Sequence, residues 1–148
     1  MQQPSPISSR RHADPIEILI EASEIVTQHS LALEELLPAL AELVRKVVDY
    51  QLFAVFLRSG TDEMRIRFSI GYREDFTRNL RLKIGEGITG QAAQRRETII
   101  VNDVTRDDRY LMAIDAVRSE ISVPLLARGK TVGVIDLQTT QVDRKSVV

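Results

Sequence analysis

Apolar and polar positions alternate with two different periods along the chain, and the change of period divides it into helices and strands. Between residues 33 and 49 the leucines and valines recur every three or four residues, which predicts an amphipathic helix with one buried side. Between residues 14 and 28 the apolar residues cover a wider surface than one stripe. The second pattern predicts a helix with two buried faces, one of them against another helix of the chain or a second copy of it.

The first helix has a clear beginning in the sequence. Asp14 precedes Pro15, and Glu17 follows three residues after Asp14. An aspartate can cap the first free N–H groups, proline fits the first helical position, and a glutamate at the third position completes a capping box. We therefore predict that the helix begins at residue 14 and runs to about residue 28.

Shorter runs predict strands. Residues 52–57 are continuously apolar, as in a strand buried on both faces, whereas residues 64–70 alternate between apolar and polar. Residues 98–101 form another short strand, and residues 121–126 and 131–137 flank Arg128-Gly129-Lys130 as a hairpin. Pro124 lacks an N–H, so we expect one side of its strand to be free or bulged.

A glycine-rich turn joins an alternating run at residues 80–84 to a helical run at residues 91–96. It reads Gly85-Glu86-Gly87-Ile88-Thr89-Gly90. Glycines there allow a tight bend, and they also allow free helix N–H groups to face an anion. The spacing matches neither common nucleotide-binding pattern, so both interpretations stay open.

The order of elements predicts an α+β domain. Two helices precede three strands, one helix and three more strands, which is typical of a six-stranded antiparallel sheet with helices packed on one face. The connections between residues 71 and 119 would cover the other face as a lid of loops and short helices. A small-molecule pocket is expected under such a lid.

Composition narrows the class of protein. The 148 residues form one domain, with a net charge of -1 and no cysteine. Disulfides and thiolate chemistry are therefore excluded from this sequence, and the charge predicts no nucleic-acid or membrane partner. Residues 1–13 are polar and proline-containing, which predicts a flexible lead, and without a signal peptide or an apolar span we expect a cytoplasmic protein.

Four separated motifs give the chain a family likeness. They are the glycine turn with Gln91-Ala92-Ala93, then Val101-Asn102-Asp103-Val104 with Asp107-Asp108-Arg109-Tyr110, then Arg118-Ser119-Glu120-Ile121-Ser122-Val123-Pro124-Leu125, and Gly133-Val134-Ile135-Asp136-Leu137. In this order and spacing they resemble the GAF domain, a fold also similar to PAS domains. The resemblance spans residues 14–148 as a single domain.

This resemblance implies a sensory module. GAF domains bind small molecules and regulate attached histidine kinases, cyclic-di-GMP enzymes, phosphatases or transcription activators, so it implies a homodimer in signal transduction, such as a two-component system, without chemistry of its own. Tetrapyrrole-binding members and the free methionine-sulfoxide reductases of this fold use cysteine, which is absent. The two histidines, His12 and His29, lie outside the expected pocket, so no haem or other cofactor is expected. The usual final helix of the family is missing or reduced to residues 141–148, so we expect the chain to be a fragment of a longer signalling protein.

The ligand-binding residues that this interpretation nominates lie in the lid and at the strand ends. They are Phe68, Tyr72, Phe76, Ile88, Thr89, Arg109, Tyr110, Arg118 and Ser119. Each has a structural alternative: the aromatic residues can be core, Arg109 can pair with a neighbouring aspartate, and Ser119 can satisfy local backbone. The cluster Asp103, Asp107 and Asp108 is better explained as turn caps than as a cation site, so no metal is predicted.

The leading hypothesis is a non-catalytic sensor that binds a small cytoplasmic ligand and controls an output domain. A ligand-free dimerisation module is the alternative, and it requires that Phe68, Tyr72 and Phe76 leave no cavity. An enzyme would need a converging acid and base, for which Asp107 with Tyr110 is the candidate pair.

Substituting Ile18 or Ile25 by Glu tests the homodimer expected through the helix at residues 14–28. If that face is an interface, a buried glutamate there should convert the dimer to monomer. Analytical ultracentrifugation measures the change, with Glu21→Gln as a control on the same helix. A variant that stays dimeric would exclude this face.

Overall fold

The computed structural model describes residues 14–28, 32–111 and 117–140. Its elements run in the order α1 (Pro15–Gln28), α2 (Leu33–Arg45), β1 (Leu52–Ser59), β2 (Glu63–Ile70), α3 (Glu74–Asn79), β3 (Leu82–Lys83), α4 (Gly87–Arg95), β4 (Ile99–Val101), a 3₁₀ turn (Val104–Arg106), β5 (Ser119–Ala127) and β6 (Lys130–Thr139). No helix within the described ranges is long and apolar enough to cross a membrane.

The six strands form one antiparallel sheet in the order β3-β2-β1-β6-β5-β4. Both predicted hairpins are present, β1 with β2 and β5 with β6. The α+β fold class with a six-stranded antiparallel sheet is thus confirmed. β1 and β6 are the first and last strands in the chain, and their pairing joins the two hairpins into one sheet.

The three central strands are buried on both faces, and their register decides what each face presents. Asp136 on β6 lies between Ala54 on β1 and Ser122 on β5. One residue further along, Leu137 lies between Phe53 and Ile121. Because neighbouring residues of a strand point to opposite faces, the sheet has one largely apolar face and one face that carries the buried acids.

Helices α1 and α2 cover the apolar face. Their buried residues join Phe53, Val55, Ile135 and Leu137 in the largest apolar cluster of the domain. Asp14 begins α1 as predicted, since its Oδ1 accepts a hydrogen bond from the Ile16 N–H at 3.0 Å.

Helix α2 ends at Arg45, four residues earlier than the apolar pattern predicts. Tyr50 explains the difference, because its ring is 2% exposed and its hydroxyl donates to the Ala41 carbonyl at 2.9 Å. The Arg45 guanidinium also lies over this ring, 4.1 Å from the centroid. The chain must turn back at residues 46–49 to bring the ring against the helix.

The glycine-rich turn is a tight structural bend. Gly85 donates its N–H to the Gly90 carbonyl at 2.8 Å, and a Cβ at Gly90 would lie 2.6 Å from the Lys83 carbonyl oxygen. Helix α4 therefore begins inside the turn, at Gly87, and β3 is limited to Leu82–Lys83. The close approach fixes Ile88 and Thr89 over the polar face of the sheet.

Pro124 lies at an edge of the sheet, as predicted. β4 pairs with β5 only from Glu120 to Ser122, so within the described chain β5 has no strand partner on that side from Val123 onward. The ladder with β6 is bulged between Leu125 and Leu126. The flexible lead predicted at residues 1–13 lies outside the described residues, as does the part of the predicted lid at residues 112–116.

Gly90→Ala should destabilise the domain although alanine favours helices. The added Cβ meets backbone oxygen at 2.6 Å, and overpacking of this kind costs about 1–3 kcal/mol. Urea unfolding measures the change, with Arg95→Ala in the same helix as an exposed control expected within about 0.5 kcal/mol of the parent. A Gly90→Ala protein as stable as the parent would show that the turn does not depend on this approach.

Candidate functional site

A cavity of about 140 Å³ lies on the sheet face opposite α1 and α2. The lid predicted between residues 71 and 119 contributes most of its wall. The lining residues are Phe56, Tyr72, Phe76, Leu80, Leu82, Gly87, Ile88, Thr89, Leu111, Glu120, Asp136 and Gln138. The volume is well below the several hundred Å³ of a drug-sized site, which favours a ligand of amino-acid size.

Two buried carboxyl groups form the polar part of the cavity. Glu120 on β5 is 3% exposed and Asp136 on β6 is 1% exposed. The register pairs Glu120 with Gln138 and Ser122 with Asp136, so the two acids belong to adjacent cross-strand pairs on the same face. Burial of two acids side by side is costly unless protons or hydrogen bonds compensate.

Hydrogen bonds converge on Asp136. Its Oδ1 accepts from Thr89 Oγ1 at 3.1 Å and from the Ser122 hydroxyl, and its Oδ2 accepts from Gln138 Nε2 at 3.0 Å. Three donors directed at one carboxyl group are the surroundings of a charged acceptor. The turn at Gly90 matters here because it carries Thr89 to this carboxylate.

Unlike Asp136, Glu120 lies in surroundings that favour its neutral form. Burial raises the pKa of Glu120 well above its ordinary value, and the neighbouring Asp136 charge and the hydrogen bond between the two carboxyl groups raise it further. Thr89 Oγ1 lies 3.4 Å from Glu120 Oε1 and offsets this only in part. These surroundings therefore favour the protonated form of Glu120, whose proton the two carboxyl groups share in their hydrogen bond.

An aromatic pair lies beside the acids at the outer wall. The rings of Tyr72 and Phe76 stack with centroids 5.8 Å apart and planes 3° from parallel. The Tyr72 hydroxyl accepts from Gln138 Nε2 at 3.3 Å, and burial followed by the Asp136 charge raises the pKa of Tyr72 well above its usual value. Phe76 is 37% exposed, so one end of the cavity wall reaches solvent.

Asp103 and Asp107 cap turns in the lid, as the sequence indicated. Asp103 Oδ1 accepts from the Thr105 N–H at 3.1 Å, and Asp107 forms a two-pronged ion pair with Arg109 at 2.6 Å and 2.9 Å. The Arg109 hydrogen bond, ahead of other effects, lowers the pKa of Asp107. No group of three or more metal-ligating side chains occurs in the described ranges.

The structure brings together four of the nine nominated residues. Tyr72, Phe76, Ile88 and Thr89 line the cavity. Tyr110 adjoins them, because its hydroxyl donates to Gln138 Oε1 at 3.4 Å. The remaining four lie elsewhere.

Phe68 points to the apolar face and packs edge-on against Phe53, with ring centroids 6.1 Å apart. Arg109 is held by Asp107, and Arg118 donates to the Val117 carbonyl at 3.1 Å. Ser119 is fully buried in the ladder opposite Thr139. Asp107 and Tyr110 have separate partners, so they do not form the acid and base considered above.

The sequence analysis missed Glu120, Asp136 and Gln138 as site residues, although both acids lie in the motifs that carry the family likeness. The sequence contains a pattern that could have identified both acids. Each acid interrupts a run that otherwise reads as a fully buried strand, and a charge in such a run has to be paired or functional.

The chain belongs to the GAF domain family, whose sequence model matches residues 30–145. The structure of a GAF domain from a Coxiella burnetii phosphoenolpyruvate-protein phosphotransferase covers 87% of the chain and 79% of its own length, at 19% identity and a TM-score of 0.69.

Enzymes of the same fold are also among the relatives. A free methionine-R-sulfoxide reductase from Saccharomyces cerevisiae is 40% identical over 57 residues, which is 38% of this chain and 32% of that protein. The chain thus spans about a third of the length of this curated relative. The structure of a free methionine-R-sulfoxide reductase from Neisseria meningitidis in complex with its substrate aligns over 95% of this chain and 82% of its own, at 23% identity and a TM-score of 0.69.

These comparisons contradict the expectation of a non-catalytic sensory domain and of a chain that is not an enzyme. The matched segment and the fold both occur in reductases that act on a free amino acid derivative. The family likeness gave the correct fold, but the family contains enzymes as well as sensors.

Glu120→Gln should weaken the dependence of stability on pH. The folded-state pKa of Glu120 lies above its ordinary value of 4.5, so between the two values the folded protein keeps a proton that the unfolded chain releases. The free energy of unfolding then falls as pH rises, by up to about 1.4 kcal/mol per pH unit. The neutral amide cannot titrate, so this fall should shrink in the variant.

Urea unfolding of both proteins at pH 5 and pH 8 measures the difference. The exposed Glu97→Gln is the matched control and should follow the parent. Equal pH dependence in the parent and Glu120→Gln would contradict the shared proton.

Proposed function

We propose that this chain is a GAF-fold enzyme that binds a free amino acid of the methionine sulfoxide class in the cavity. The observation that carries the proposal is the buried pair of carboxyl groups, Glu120 and Asp136, beside the apolar wall of the cavity. A free amino acid of this class offers the complementary groups, because its ammonium is a cation with three donors and its side chain has an apolar methylene segment before the polar sulfoxide.

In the proposed complex, the ammonium group of the ligand contacts the carboxyl groups of Glu120 and Asp136. Entry of a cation beside Asp136 favours ionisation of Glu120, so the ammonium replaces the shared proton as the compensating charge. The side chain then extends toward the stacked Tyr72 and Phe76, at the solvent-reaching end of the cavity. This orientation leaves the sulfoxide group within reach of a reagent from outside.

The reducing equivalents come from an external dithiol in this proposal, because the sequence contains no cysteine. Two thiols are oxidised to one disulfide, and the sulfoxide is reduced to the thioether. The sulfoxide oxygen leaves as water with two protons supplied by the thiols. The contribution of the chain is to bind and orient the amino acid with its sulfoxide sulfur toward the dithiol.

Several finer features stay predictions. They are the homodimer through α1, an attached output domain and the cytoplasmic location. The GAF fold, which occurs in a phosphotransferase protein as well as in reductases, is compatible with each of them. None of them is needed for the ligand assignment.

Calorimetric titration with L-methionine-R-sulfoxide tests the binding step. Asp136→Asn should weaken binding by about tenfold to a hundredfold, because a charged hydrogen-bond partner of the ammonium is lost. Glu97→Gln, an exposed carboxylate changed in the same way, should bind as the parent does. N-acetylmethionine sulfoxide, which lacks the ammonium, should not bind.

The pH dependence of binding has a defined sign. Because ammonium binding displaces the shared proton, affinity should rise from pH 5 to pH 8, and the measured heat should vary with the ionisation enthalpy of the buffer. Affinity that is independent of pH, together with heats that are the same in every buffer, would contradict the ammonium assignment.

Turnover is tested separately with dithiothreitol as the reductant and chromatography of free methionine as the readout. We expect methionine to form faster than in a protein-free blank and more slowly with Asp136→Asn. If the protein binds the sulfoxide but does not reduce it, the reductase proposal is wrong and the proposal of an amino-acid site is supported. Failure to bind would remove both.

A further inference from the structure

A second and larger concavity of about 680 Å³ lies at the free edge of β5, on the far side of the strand from β6. Its walls come from α1, from β5 and from the end of α4. The apolar part consists of Ile20 on α1 with Val123, Pro124, Leu126 and Ala127 on β5. We call this concavity the edge groove.

Two arginines line the edge groove. Arg96 is the residue that caps the C-terminus of α4, and Arg128 lies in the β5–β6 turn. Arg96 Nη1 donates to the Gly129 carbonyl at 3.1 Å. That bond ties the end of α4 to the hairpin turn and so brings the two cationic residues to one end of the groove. Neither forms an ion pair with a carboxylate in the described part of the chain.

Both arginines occupy backbone conformations that favour other residues. Their φ angles are 58° and 53°, and within the described ranges they are the two non-glycine residues with positive φ. Glycine or asparagine fits each position better, at a helix end and in a two-residue hairpin turn respectively. Arginine at both places therefore costs conformational energy, which indicates that the side chains contribute something besides the turns.

The edge groove is poorly suited to an added β-strand. Pro124 has no N–H to donate to a neighbouring strand, and the pairing of β4 with β5 stops at Ser122, two residues before it. Glu24 on α1 supplies one negative charge to the lining and has a partner of its own, so the excess positive charge lies on the side of the two arginines. An apolar trough with cations at one end is complementary to an amphipathic anion.

We propose that the edge groove binds a small amphipathic carboxylate, with its apolar chain between Ile20 and Leu126 and its carboxylate on Arg96 and Arg128. Ile20 and Leu126 are 40% and 37% exposed, so the apolar chain would cover side chains that otherwise face water. The site is separate from the acid-lined cavity, whose charge has the opposite sign.

Octanoate is the probe, and the full chain is titrated while its amide resonances are followed by NMR. The expected result is saturable shifts of the amide resonances of Val123, of residues 125–127 and of Thr98, which also lines the groove. Shifts confined to residues around Thr89 and Glu120 would overturn the proposal, as would the absence of saturable binding.

The double variant Arg96→Asn/Arg128→Asn isolates the charge. Asparagine tolerates positive φ, so the protein should unfold at the same or higher urea concentration than the parent. Octanoate affinity should fall at least about tenfold, since two charge-assisted contacts are lost. Binding of 1-octanol, which lacks the carboxylate, should be unchanged.

Arg95→Gln is the matched control, because Arg95 ends the same helix without lining the groove. It should bind octanoate as the parent does. Equal octanoate affinity in the parent and the double variant would overturn the contact of the carboxylate with Arg96 and Arg128. A loss of affinity in Arg95→Gln as large as in the double variant would also overturn it, because general surface charge would then explain the effect.

Discussion

Burial of the central strands on both faces is the constraint on which the rest of the domain depends. β1, β6 and β5 each have one face against the helices and the other against the lid, so each side chain of these strands must suit one of two interiors. A shift of one residue would move Asp136 into the cluster around Phe53 and Leu137. Apolar packing on one face and hydrogen bonding on the other therefore select the same register.

The acid pair is the most demanding part of this arrangement. Asp136 is compensated by donors from three different places, namely α4, β5 and its own strand. The surroundings of Glu120 raise its pKa and so favour its neutral form. A site of this kind is high in energy when empty and gains most from a ligand that brings its own positive charge, which makes the choice of ligand a consequence of the fold.

The sequence was sufficient for most of the fold. The strand runs, both hairpins and the cap at Asp14 follow from local patterns, and the structure agrees with them. The end of α2 could not be predicted, because the contact between Tyr50 and Ala41 joins residues nine apart and follows from packing. β3 is short for a similar reason, since Gly90 approaches the chain too closely for pairing to continue.

The candidate site was predictable only in part. Tyr72, Phe76, Ile88 and Thr89 lie in the lid, where the order of elements placed the pocket. Phe68 was misplaced because alternation gives two faces of a strand without saying which one meets the helices. Glu120 and Asp136 act as a pair only through the β5–β6 register, and no spacing along the chain expresses that relation.

Pro124 has a consequence for association between molecules. A strand edge with free N–H and C=O groups is a template on which another chain can extend a sheet, and this is a common route to aggregation. β5 is apolar over most of its length and lacks a strand partner on one side from Val123 onward in the described chain. Because Pro124 has no backbone N–H at that point, this edge of β5 pairs less readily with a strand of another molecule.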